Sequence, residues 1–211
     1  MSAIPGIDPD DAVAELIDIG RTAVERGLVL ASGGNLSART GADRFVVTGA
    51  GTWLDRLTPD RFTTMDLDGN VLDGEEPSSE WKLHQRSYRA RPDVNAVVHL
   101  HPQHAVLLDA LGHQVRLITL DHAHYVKSVG RTAYFSNGSD ELADAAAEQA
   151  LRHNCVILAH HGCSALGETV EMAFRRALHL EDAAVATYRA LLLGDTTTTM
   201  PAHLPAGSPH A

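Results

Sequence analysis

The chain has 211 residues, 44% of them hydrophobic, and a formal net charge of -10. That length suits one domain with an ample core, the acidic balance argues against a nucleic-acid or anionic-membrane partner, and no apolar run approaches the roughly 20 residues that span a bilayer. Cys155 and Cys163 are too few for a disulfide framework and read as buried thiols. Lys82 and Lys127 are the only lysines, so Schiff-base chemistry has little to draw on, whereas ten of thirteen histidines fall between His84 and His161. The N-terminus has acids at Asp8, Asp10 and Asp11 and no basic, apolar leader, so the expected compartment is the cytoplasm.

Residues 10–27 predict a helix, with Asp10 and Asp11 favouring its start and Gly27 its end. Ser32-Gly33-Gly34-Asn35-Leu36-Ser37 reads as a glycine loop that can present N–H groups to an anion, although a plain turn fits it equally well. Arg44–Thr48 is a short strand running into a second glycine loop, Gly49-Ala50-Gly51. Residues 62–67 and 69–72 form a hairpin about Asp68-Gly69. Pro77-Ser78-Ser79-Glu80 precedes a helix over 81–89. Ser78 or Ser79 is the expected N-cap, and Glu80 a first-turn acid that the helix dipole would favour.

Ala96-Val97-Val98-His99-Leu100-His101-Pro102 is an apolar strand ending in His-x-His. Alternate strand residues share a face, so His99 and His101 project together, about 6.5 Å apart, close enough to converge on one metal. A second apolar strand, 156–159, runs into His160-His161-Gly162, from which a third ligand can come. Three histidines with an open position make a catalytic metal pattern rather than a structural one. Residues 104–111 predict a helix and 115–120 a strand entering the histidine-rich run Asp121-His122-Ala123-His124-Tyr125. Helices follow over 141–152 and 168–193, and 195–211 reads as a disordered tail after a single domain over 1–194.

The ordered set Ser32–Ser37, Thr48-Gly49, Pro77–Trp81, Ala96–His101 and His160–Gly162 resembles the class II aldolase/adducin family from the first helix to the last. The resemblance implies an α/β fold: a three-layer α/β/α sandwich around a central mixed, mainly antiparallel sheet. It implies a homotetramer with sites at subunit interfaces, and a divalent metal, zinc foremost with manganese, cobalt or iron as alternatives. The metal would lie on His99, His101 and His161, with Glu80 as acid/base beside it and Tyr125 acting at the aldehyde half of the substrate. Ser32, Gly34, Asn35, Thr48, Gly49, Ser78 and Ser79 would meet the substrate phosphate.

The activity so implied is retro-aldol cleavage of a fuculose-1-phosphate-like ketose phosphate to dihydroxyacetone phosphate and an aldehyde. Decarboxylation of a keto acid, or epimerisation, are the alternatives on the same site. Members that epimerise carry aspartate where Glu80 stands, which favours aldol chemistry. A non-catalytic, adducin-like assembly module is the third reading, and the presence together of the three histidines and Glu80 argues against it. The role of Asp121, His122 and His124 stays open between a substrate-specific acid/base cluster and supporting groups.

Overall fold

The computed structural model describes residues 6–201. α1 (Pro9–Glu25) begins where the sequence signals converge: Pro9 occupies the first turn, and the Asp8 carboxylate accepts from the Asp10 and Asp11 N–H groups. Eight strands follow in one sheet. They are β1 (Asn35–Arg39), β2 (Arg44–Thr48), β3 (Phe62–Asp66), β4 (Val71–Asp73), β5 (Ala96–Leu100), β6 (Val129–Thr132), β7 (Cys155–Leu158) and β8 (Gly162–Gly167). Their order is β4-β3-β2-β1-β5-β8-β7-β6, antiparallel throughout except for the parallel β6–β7 edge. The helices α2 (Trp81–Ala90), α3 (Gln103–Ala110), α4 (Asp140–Ala150) and α5 (Val170–Leu192) complete the fold.

Alternation along the strands sorts the side chains into two cores. Leu36, Ala38, Val98, Leu100, Cys163 and Ala165 pack on α1, α3 and α5, while Val97 and Leu166 pack with Tyr88 of α2 on the other face. Leu83 of α2, Leu142 and Ala146 of α4, and Val156 extend that second core. The result is the expected three-layer α/β/α sandwich. Both cysteines are buried free thiols, and burial pushes the Cys155 thiol up to about 12. Among the described residues no helix is long and apolar enough to cross a membrane.

Three local expectations change. The segment 115–120 is not a strand: Arg116 N–H donates to the Thr187 hydroxyl, and Ile118 and Thr119 N–H groups donate to His122 Nδ1, so side chains replace a strand neighbour. The N-cap of α2 is Glu80 itself rather than Ser78 or Ser79, and its carboxylate makes no capping bond. Residues 35–37, read as part of a glycine loop, belong to the central strand β1, and 162–167, to which the sequence reading assigned no element, form the central strand β8. Residues 195–201 lie along the 115–117 segment, with Met200 N–H donating to Leu117 O and Asp195 accepting from Thr197 and Thr198 N–H. Residues 202–211 fall outside the described residues.

Candidate active site

The site forms where β1, β5 and the β7–β8 turn end together on the α2/α4 side of the sheet. Asn35 lies opposite His99 across β1–β5, and His99 opposite Ser164 across β5–β8. Leu158 pairs with Gly162, so the β7–β8 connection is only Ala159-His160-His161, closed by His161 N–H donating to Leu158 O. His160 takes φ +57 in that turn, and its exposed ring lies 6.3 Å from that of Tyr134, outside the converging group. Gly162 has no alternative: a Cβ there would sit 2.4 Å from Leu100 O and 2.7 Å from the His101 ring.

Glu80, His99, His101 and His161 each offer one ligand atom, all within 4.8 Å of one another. His99 Nδ1 lies 2.9 Å from the Cys163 carbonyl. A carbonyl only accepts, so Nδ1 carries the proton and a neutral His99 turns a bare Nε2 inward. That Nε2 faces Glu80 Oε2 at 3.0 Å and His101 Nε2 at 3.1 Å. His161 Nε2 is 3.5 Å from Glu80 Oε1, a buried oxygen with no hydrogen-bond partner. Lone pairs converging on an unsatisfied buried carboxylate repel one another, and a shared cation is the species that relieves this. The donor set therefore fits a divalent metal.

Burial by itself would raise the Glu80 carboxyl, but positive charge at His99 and then at His161, with the Asn35 amide, outweighs it and holds the group well below the usual carboxylate range, a pull that a bound cation would supply with the imidazoles neutral. His101 is pushed down to about 3 by burial first and then by His99 and His161, and burial likewise lowers His161. Neutral imidazoles are the ligand form.

A cavity of about 170 Å³ opens onto this cluster. Ser32, Gly34, Asn35, Gly49, Ser78 and Ser79 line it, as do Glu80, His101 and His161. The backbone gathers these loops: Ser78 N–H donates to Thr48 O, Ala50 N–H to Glu76 O, and Gly49 bridges to Pro77. No lysine or arginine lines the cavity, so an anion there meets N–H groups, hydroxyls and the start of α2. Thr48 does not line it; its buried hydroxyl accepts from Leu36 N–H. Asn35 does, but its amide donates 3.1 Å to Glu80 Oε2.

Tyr125 lies elsewhere in this chain, in a π-helical turn over His122–Val126. Its hydroxyl accepts from Arg175 and its ring stacks on His179 at 4.5 Å. His122 is buried, with Nε2 donating 2.8 Å to Asp182. Thr52 and Asn137 also line the cavity and were missed. Asn137 comes from the loop before α4, where Gly138 takes φ +70 with Ser79 O in the way of any Cβ. Only the turn residues Asn137-Gly138 hinted at it.

The sheet therefore ends in three histidines and a carboxylate that could hold a divalent metal, beside a glycine-lined cavity. The model of the Class II Aldolase and Adducin N-terminal domain matches residues 14–188, and the chain belongs to that family. It is 35% identical over 179 residues to the L-fuculose phosphate aldolase of Methanocaldococcus jannaschii, covering 85% of this chain and 97% of that one. It is 32% identical over 174 residues to the 3-oxo-tetronate 4-phosphate decarboxylase of Haemophilus influenzae, covering 80% and 83%. A solved L-fuculose 1-phosphate aldolase superposes with a TM-score of 0.84 at 31% identity, covering 91% of each chain.

Proposed function

We propose that the chain is a divalent-metal-dependent aldolase that cleaves a ketose 1-phosphate to dihydroxyacetone phosphate and an aldehyde. The observation that carries this is the buried Glu80 carboxylate, with Oε2 3.0 Å from His99 Nε2 and a partnerless Oε1 3.5 Å from His161 Nε2, beside a pocket lined with N–H groups and hydroxyls. His99, His101 and His161 would hold the metal, zinc foremost, with Glu80 at its edge. When bound, such an ion polarises a carbonyl and offsets the charge released as the carbon–carbon bond breaks.

This chain's residues do the rest. N–H groups and hydroxyls of Ser32, Gly34, Gly49, Ser78 and Ser79, with the Asn35 amide, hold the phosphate and so fix the ketone over the histidines. Thr48 supports that arrangement by tying β2 to β1. As the bond between C3 and C4 breaks, the electron pair stays with the dihydroxyacetone half. The ionised Glu80 takes the proton that the C4 hydroxyl gives up on becoming the aldehyde, and returns it to C3. Tyr125 does not line the pocket of its own chain, so its role at the aldehyde half belongs with a homotetramer in which it reaches a neighbouring subunit's site.

The relative named as a decarboxylase supports a second reading, loss of CO₂ from a phosphorylated keto acid at the same site. Metal-loaded protein assayed on a panel of ketose 1-phosphates and phosphorylated 3-keto acids separates the two. The aldolase reading expects dihydroxyacetone phosphate from at least one ketose, abolished by a chelator. Release of CO₂ from a keto acid, with every ketose left intact, would replace it.

A further inference from the structure

Glu80 is held by more than the pocket. α2 carries Glu80, His84 and Tyr88 at four-residue intervals, about 6 Å per step along a helix. β1 carries Asn35 and Ser37 two residues apart, about 6.6 Å along a strand. The two spacings nearly coincide, so polar groups of helix and strand interleave in the α2-facing layer, and none of the five is more than 5% exposed. Tyr88 Oη lies 2.7 Å from Ser37 Oγ, and Ser37 Oγ lies 2.6 Å from His84 Nδ1. His84 Nε2 lies 2.5 Å from Asn35 Oδ1, and Asn35 Nδ2 3.1 Å from Glu80 Oε2.

Only one pattern of protons satisfies all four contacts with a neutral imidazole. The Glu80 carboxylate accepts, so the Asn35 amide must donate to it and turn its carbonyl to His84. His84 then donates from Nε2, leaving Nδ1 to accept from Ser37. The Ser37 hydrogen is thereby used, and its oxygen accepts from Tyr88. Tyr88 oxygen in turn receives Val97 N–H, from the strand that carries His99. Burial first, then the neighbouring His99, pushes His84 down to about 3, which keeps it in that neutral form.

We propose that Tyr88, Ser37, His84 and Asn35 form a one-way hydrogen-bond chain that fixes the Glu80 carboxylate, pinning Oε2 beside His99 so that Oε1 stays turned to His161. They are positioning residues; none but Asn35 reaches the pocket. A merely structural cluster would need no common direction, and an apolar layer of the same volume would stabilise the fold as well. The proposal rests on Glu80 acting beside a metal, so its test includes measurements that need no turnover.

The test has three readouts. The ¹⁵N-histidine NMR spectrum of the metal-free wild-type protein should show His84 protonated at Nε2 and bare at Nδ1. Zinc affinity, by chelator competition, and kcat with KM should then be compared across variants. His84→Met should lower zinc affinity and kcat by about 10- to 100-fold with KM within about twofold, the usual size for groups supporting a metal ligand. His84→Gln, which keeps an N–H donor and a carbonyl, should recover most of the loss. Ser37→Ala should cost about threefold to tenfold in both, as the loss of one hydrogen bond further along the chain.

An Nδ1–H tautomer would reverse the direction and overturn the proposal. Equal losses in His84→Met and His84→Gln, tracking equal falls in melting temperature, would reduce the chain to packing. If His84→Met does not fold, Ser37→Ala decides: zinc affinity and kcat within twofold of wild type would overturn the proposal. A wild-type protein that cleaves no phosphorylated ketose, yet binds zinc more weakly in these variants, would sink the functional reading and leave the chain standing.

Discussion

Two groups of histidines lie in this molecule, and they are built on opposite principles. His99, His101 and His161 converge on a single carboxylate, and one of its oxygens is left without a hydrogen bond. On the α3/α5 side His104 and His122 each have an acid of their own. His104 Nδ1 meets Glu181 at 2.8 Å, and the same carboxylate accepts from His104 and Ala105 N–H, capping α3 where Pro102 offers no side-chain cap. His122 donates to Asp182 while its Nδ1 accepts two backbone N–H groups. The second group is satisfied and structural. In the first, a cation would supply the missing partner, so shared, incomplete partnering marks the candidate site better than histidine density does.

The sharpest way to break this contrast is at Glu80. Glu80→Gln keeps size and an oxygen but moves no proton, so kcat should fall by roughly two to four orders of magnitude in a folded protein. Near-normal turnover would return Glu80 to the role of a helix-end acid. The next effect is on stability. His84 stays neutral when folded but takes up a proton near pH 6.5 when unfolded, so the unfolded state binds more protons as pH falls. Unfolding free energy of the metal-free protein should therefore drop below pH 6.5 by up to about 1.4 kcal/mol per pH unit from this group. Denaturant titrations should show a shallower fall in His84→Gln.

Smaller effects belong to the anion pocket and to the satisfied group. Ser79→Ala should raise KM for a phosphorylated substrate about tenfold with kcat nearly unchanged, the usual size for one hydrogen bond to a charged group. An unchanged KM would move the phosphate elsewhere. Asp182→Ala removes the acceptor of a buried imidazole and should cost about 1 kcal/mol in stability. Its kcat should stay within twofold; a large loss would mean the second histidine group takes part in chemistry after all.

Much of the fold was legible because its signals were local. Asp8-Pro9 and Gly27 bracket α1, Asp68-Gly69 turns the β3–β4 hairpin with Gly69 at φ +95, and His-x-His sits at the end of β5. Two central strands were not legible. β1 follows the Gly33-Gly34 pair, which reads as a turn, and its alternation of Asn35, Ser37 and Arg39 with Leu36 and Ala38 does not face water, since both faces are buried; β8, Gly-Cys-Ser-Ala-Leu-Gly, is buried on both faces and shows no such alternation. The opposite error arose at 115–120, whose β-branched character reads as strand, whereas its partners are side chains, the distant Thr187 and the following His122, rather than a neighbouring strand.

In the site, His99 and His101 could be named because ligand chemistry constrains residue type and strand alternation puts them on one face, whereas the choice of His161 and the role of Glu80 came from the family resemblance. Glu80, His84 and Tyr88 also share one helix face at i, i+4 and i+8, a signal present in the sequence. Polar residues at that spacing ordinarily face water, and only the burial of α2 against Asn35 and Ser37 gives them partners.

Zinc content measured on purified, zinc-loaded wild-type, His161→Ala, His160→Ala and His104→Ala proteins tests the contrast between the two groups most directly. The wild type, His160→Ala and His104→Ala should each retain about one ion per chain, as a single site with three histidine ligands requires, while His161→Ala should lose it. Zinc lost from His160→Ala or His104→Ala but kept by His161→Ala would contradict the account.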